Sequence, residues 1–182
     1  GELENGMNVS LSFVIDQADN AGVADGPFDS HSVTISSDEL GAFVFSGEGG
    51  SSAQGAMDSG AAGDLWDNGT GVSEIAGATA GDNSMFYTLP ELMDGVAVTL
   101  SMSPGRADQS THTSYGLTYT GVEGLMIQYG TGDGGAPATE IESTTMSASY
   151  AIGSFTLAAS NTEATKVSAA NREVDAYKVS YT

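Results

Sequence analysis

The sequence predicts an all-β chain laid out as an antiparallel up-and-down sheet. Three observations carry this. Apolar and polar residues alternate with period two in ten short segments, no stretch sustains helical spacing, and the connections between the segments alternate between short and long.

The first segment, MNVSLSFVI, puts Met7, Val9, Leu11, Phe13 and Ile15 on one face and Asn8, Ser10 and Ser12 on the other. The second and third, SHSVTIS (30–36) and GAFVFSG (41–47), flank the turn SDELG around Glu39. SMFYTLP (84–90) follows a long stretch and leads through PELMDG, around Asp94, into VAVTLSMS (96–103), where Val96, Val98, Leu100 and Met102 oppose Thr99, Ser101 and Ser103. TSYGLTYT (113–120) and LMIQYGTG (125–132) enclose TGVEG around Glu123. TTMSASYAI (144–152) and SFTLAAS (154–160) meet at Gly153, and DAYKVSYT (175–182) is the tenth. The opening GELE runs into Asn5-Gly6, a strong hairpin signal, as the tail of a preceding strand would. Long connections are expected over 16–29, 47–82, 104–112, 133–142 and 162–173. A meander built this way places all short turns at one edge and all long loops at the other, as outer-membrane barrels do.

Composition narrows the partners. Lys and Arg total 4 against 24 acids, a formal charge of −20 over 182 residues, which repels nucleic-acid backbones. Cysteine is absent, which removes disulfides, thiol catalysis and thiolate metal sites. The polar strand face carries Ser, Thr, Asn and Gln rather than the charges a soluble sheet shows to water. All seven tyrosines, Tyr87, Tyr115, Tyr119, Tyr129, Tyr150, Tyr177 and Tyr181, fall on the apolar parity, several near strand ends, as interfacial girdle residues do. The expected fold is therefore a transmembrane β-barrel with the apolar parity toward lipid and the polar parity toward its interior.

The run DNSMFYTLPELMDGVAVTLSMSPG, together with SHSVTISSDELGAFVFSGEGGSS, resembles the Gram-negative porin family, and the likeness extends over most of the chain. The resemblance implies an outer-membrane channel for passive diffusion of small hydrophilic solutes. It also implies a homotrimer of sixteen-stranded barrels in contact with outer-membrane lipid and lipopolysaccharide, each barrel with a long loop folded inward. Ten strands fall short of that number, so residues 1–182 are expected to be an internal part of a single barrel domain. Residues 47–82, glycine-rich and without Lys or Arg, occupy the place of the inward-folded constriction loop. Its acids Glu48, Asp58, Asp64, Asp67, Glu74 and Asp82 are the candidate constriction residues, and Trp66 the candidate anchor that ties the loop to the wall. Of the basic ladder that the resemblance sets against such acids, Lys178 is the one member expected within a strand, with Arg106, Lys166 and Arg172 in long connections. The acid excess points to a preference for cations.

Other chemistries find little support. No cofactor is expected; the acidic loops would bind Ca2+ weakly at most. The only histidines, His31 and His112, lie beside serines (Ser30, Ser114) but carry no nucleophile signature, so they read as polar rim residues and the chain as no enzyme. The alternative of another class is a secreted or surface-anchored β-protein for adhesion or assembly, which shares the Gly, Ser and Thr content but needs neither an uncharged polar face nor long loops at one edge.

Overall fold

The computed structural model describes residues 1–15, 28–58, 78, 81–105, 110–136, 138–166 and 170–182, with the backbone alone for Ile15, Phe28, Asp29 and Asp58. Its strands are β1 (Asn8–Ile15), β2 (Phe28–Ser37), β3 (Gly41–Glu48), β4 (Ser84–Thr88), β5 (Val96–Ser103), β6 (His112–Tyr119), β7 (Leu125–Gly134), β8 (Ile141–Ile152), β9 (Phe155–Lys166) and β10 (Arg172–Tyr181). Each pairs antiparallel with its neighbour in sequence, giving one ten-stranded sheet in the order β1 to β10. Residues 1–3 extend it locally, with Glu2 bridging Asn8 across the Asn5-Gly6 turn. A single helical turn, α1 (Gly55–Asp58), lies in the long connection between β3 and β4.

The short turns share one device. Gly6, Gly41, Gly95, Gly124 and Gly153 each sit in the left-handed region, which a side chain disfavours and a tight reversal requires. At Gly41 space forbids a side chain as well, because an added Cβ would meet the Thr88 carbonyl oxygen and the Pro90 nitrogen. Tyr87 donates its hydroxyl to the Leu40 carbonyl at 2.6 Å and so fastens that turn to the next strand.

The last four strands run further than alternation suggests. β7 to β10 leave connections of only 135–140 and 167–171, shorter than the expected 133–142 and 162–173. The ladders continue through charged positions, pairing Asp133 with Glu142 and Glu163 with Glu173. Backbone pairing needs no apolar side chain, and these acids stand on the apolar parity, so the alternation that marks a strand fades before the strand ends. Lys166 and Arg172, expected in a connection, therefore lie at the end of β9 and the start of β10.

Burial is inverted relative to a water-soluble sheet. Ser84, Ser114, Ser143, Thr145, Ser147 and Thr162, all on the polar parity, are buried. Leu11, Phe13, Tyr115, Leu157, Tyr177 and Val179, all on the apolar parity, are exposed, Tyr177 by 75%. No second layer covers the apolar face in the described residues.

A single rung of this exposed face, followed through the register, reads Val9, Ile35, Phe43, Tyr87, Leu100 and Tyr115 in β1 to β6, then Thr131, Thr144, Glu163 and Glu173 in β7 to β10. The rung begins near the short-turn edge in β1 and ends near the long-loop edge in β10. Strands tilted by about 40° to a membrane normal and spaced about 4.8 Å apart lift a rung by roughly 3 Å per strand, enough over ten strands to carry it through an apolar belt about 25 Å tall. The change from apolar to acidic along one rung is the trace of a level belt crossing inclined strands.

In β9, Leu157 belongs to this belt and its neighbour Thr156 to the opposite face. Leu157→Arg is expected to cost about 2–4 kcal/mol of folding free energy in a bilayer, whereas Thr156→Arg is borne. The folded fraction in lipid, followed by heat-modifiable gel mobility, measures both; equal tolerance would mean that neither face meets lipid.

Candidate functional site

The polar face is where this fold can do chemistry, and the beginning of the 47–82 segment lies against it. The corresponding rung of that face reads Ser10, Thr34, Val44, Phe86, Ser101, Ser114, Gly132, Ser143, Ala164 and Arg172. Over β6 and β7 the face is stripped to backbone at Gly116, Gly130 and Gly132, and there the chain from Ser52 to Met57 is seated. A Cβ on Gly116 would meet the Ala53 carbonyl oxygen at 2.9 Å, one on Gly130 would meet Met57 Cγ at 2.9 Å and Gln54 Cα at 3.0 Å, and one on Gly132 would meet Ala78 Cβ at 2.7 Å. The three glycines make room for a second layer of chain.

Hydrogen bonds fix the seat. The Ala53 amide donates to Ser101 Oγ (3.0 Å) and Ser114 Oγ (2.9 Å), and the Gln54 amide to Ser114 Oγ (3.3 Å). Gln54, fully buried, donates its Nε2 to Thr145 Oγ1 at 2.9 Å and accepts the Ala78 amide on Oε1 at 2.7 Å. Thr145 lies 3.2 Å, hydroxyl to hydroxyl, from Thr162 on β9. Met57, also buried, receives weak contacts on its sulfur from Thr118 Oγ1 and Gln128 Nε2. Within the segment, Ser52 Oγ accepts the Gly55 amide at 2.9 Å and caps α1. The hydroxyls of Ser101 and Ser114 are satisfied by loop backbone, and that backbone by them, whereas the buried hydroxyls of Thr99 and Ser143 on the same face find no partner among the described residues.

The expected site residues are divided by this arrangement. Glu48 ends β3, opposite His31 across a bulge, and Asp82 stands exposed two residues before β4. Asp58 ends α1. Asp64, Trp66, Asp67 and Glu74 lie outside the described residues. Lys178 pairs with Ala158 on β9 and shares the polar face with Ala176, and the register places Lys166 and Arg172 on that same face. Lys178 is thus not the one strand cation, as the sequence reading has it; three basic residues occupy the polar face of β9 and β10, because those strands extend through their charged ends.

Five acids of β7 to β10 face the other way. Asp133, Glu142, Glu163, Glu173 and Asp175 share the apolar parity beyond the belt, and Asn161 Nδ2 bridges Glu173 (3.0 Å) and Asp175 (2.9 Å). His112 is 3% exposed and its Nδ1 lies 2.9 Å from Asp133 Oδ2, while Thr113 donates its amide and hydroxyl to Asp133 Oδ1. This fastens the long-loop ends of β6 and β7, so His112 is a buried structural residue rather than an open rim one. Among the described residues no group of three or more His, Asp or Glu side chains could hold a metal ion.

Sequence reasoning missed Gly116, Gly130, Gly132 and Gln54. The three glycines occupy polar-parity positions in adjacent strands, a signal visible once the strands are paired. Gln54 sits in a glycine- and alanine-rich stretch that offers no period to read.

A family model described as Gram-negative porin matches residues 1–182, the whole chain. No curated protein matches it.

The seat is open to a covalent test, since the chain has no cysteine of its own. The Cβ spacing at Ala78 and Gly132 is about 1 Å inside the usual disulfide value, and a Cβ on Gly132 also meets Ser114 Cβ, so A78C/G132C should close under mild oxidation once both residue 78 and Ser114 on β6 give way. A faster band on a non-reducing gel, lost on reduction, is the expected result; failure to close in folded protein would place residue 78 away from the wall.

Proposed function

The chain belongs to the Gram-negative porin family, and on that premise we propose that it forms part of a water-filled, cation-preferring pore for passive diffusion of small hydrophilic solutes and ions across the outer membrane. The observation that carries this reading is the level apolar belt drawn obliquely across the rungs, with a face rich in Ser and Thr behind it. A belt of that kind serves a sheet whose outside is lipid and whose inside is water. The chain then supplies ten strands of a longer barrel, working as a homotrimer among outer-membrane lipid and lipopolysaccharide.

In this reading residues 47–82 form the constriction loop. The seating of Ala53, Gln54, Met57 and Ala78 on the polar face supports it, since the connection starts inward from the wall and returns to it at the same place. Passage past such a loop is governed by the field at the narrow zone. Two charge sets compete there. Glu48, Asp58, Asp64, Asp67, Glu74 and Asp82 come with the loop; Lys166, Arg172 and Lys178 come with the wall. The acids of β7 to β10 lie on the outward face and contribute little inside. The six loop acids outnumber the three wall cations, and the net charge of −20 adds a negative potential at the mouth.

The reversal potential of the full-length protein in a planar bilayer under a salt gradient tests this reading. Cation preference is expected, reduced by Asp64→Asn with Asp67→Asn and increased by Lys178→Gln. An anion-selective native pore would mean that wall cations dominate and that the loop is not the selectivity element.

A further inference from the structure

We propose that Gln54 is a positioning residue of the pore, the side chain that, among the described residues, clamps both limbs of the long connection to the barrel wall. The inference rests on the porin reading for its consequence but on geometry for its existence.

Gln54 joins three parts of the fold at once. Its own backbone is held on β6 through Ser114; its Nε2 reaches Thr145 on β8, ninety-one residues away in sequence; its Oε1 takes the amide of Ala78, twenty-four residues on, where the connection returns to the wall. Beneath it Gly130 offers only backbone, since a Cβ there would stand 3.0 Å from Gln54 Cα. The hydroxyl contact from Thr145 to Thr162 extends the tie to β9.

The primary amide suits this place chemically. It offers a donor at one oxygen-bearing wall residue and an acceptor at one loop amide, with no charge to desolvate. Glutamate would keep the acceptor, lose the donor and bring a buried charge; asparagine falls one methylene short; a hydrocarbon side chain would strand Ala78 N–H and Thr145 Oγ1. Ser101 and Ser114 hold one limb only; the Asn83 amide donates to the Gly47 carbonyl where the two limbs leave the sheet, and among the described residues Gln54 is the side chain that couples departure and return on the wall.

The test uses full-length protein reconstituted in planar bilayers. Gln54→Met keeps side-chain length and removes both hydrogen bonds, which should move the ratio of seated to unseated connection by about thirtyfold or more. The expected record is an altered main conductance with frequent passage to a second level and a weaker cation preference, in an oligomer whose heat resistance is unchanged. Thr145→Val, which removes the wall acceptor and leaves Gln54 in place, should act in the same direction. With A78C/G132C added to Gln54→Met, oxidation should restore the native conductance and reduction abolish it again. Conductance and reversal potential unaltered in folded Gln54→Met, or in folded Thr145→Val should the former not fold, would overturn the proposal. Should the unaltered protein form no channel, the porin reading fails by itself. The clamp is then judged by crosslinking alone: slower closure of A78C/G132C in the Gln54→Met background supports it, and equal rates refute it.

Discussion

Period-two side-chain placement carried through an antiparallel register, interrupted only by bulges at the long-loop ends of the β1–β2 and β2–β3 ladders among the described residues, is the constraint on which the rest of this structure depends. A rung can be followed across all ten strands with every residue on one face, from Ser10 to Arg172 on the polar side and from Val9 to Glu173 on the other. A slip of one residue anywhere would turn Leu and Tyr inward and Ser and Thr toward hydrocarbon. In lipid the same ladders also satisfy the backbone, since no water is present to take their place. Register thus sets both the solvent of each face and the positions of the residues that could act on a solute.

On the polar face the register does something less general. It brings Gly116, Gly130 and Gly132 beside one another and surrounds them with Ser101, Ser114 and Thr145. The result is a shallow dock with hydroxyls at its rim, shaped for a chain whose amides point outward from a helical turn. Neither part is satisfied alone: the dock would bury hydroxyls against nothing, and the Ala53 and Gln54 amides would lack acceptors. Loop and wall are complementary because each completes the other's hydrogen bonding.

The ten strands, their order and their two faces were legible because Val, Leu, Phe and Tyr alternate with Ser and Thr wherever one face meets lipid. The same rule concealed the far ends of β7 to β10. Beyond the belt, Glu142, Glu163 and Glu173 take the parity that Leu and Tyr hold lower down, and a pattern read through hydrophobicity stops where hydrocarbon stops. That is why Lys166 and Arg172 looked like loop residues. The parts of the seat were not legible. A long acidic connection announces itself by length and composition, whereas the importance of Gln54 arises from Thr145 and Ala78, which no local window contains together.

The tie between Gln54 and Thr145 also says something about the order in which the molecule assembles. All ladders join sequence neighbours, so hairpins can add one after another with little loop-closure entropy. The dock is different: its floor comes from β6 and β7 and its far wall from β8 and β9, all of them later in the chain than the segment that occupies it. That segment lacks its last hydrogen-bond partner, Thr145, until β8 is in place. Seating is consequently a late event in folding, because a chain that has not yet added β8 offers Gln54 no hydroxyl to hold.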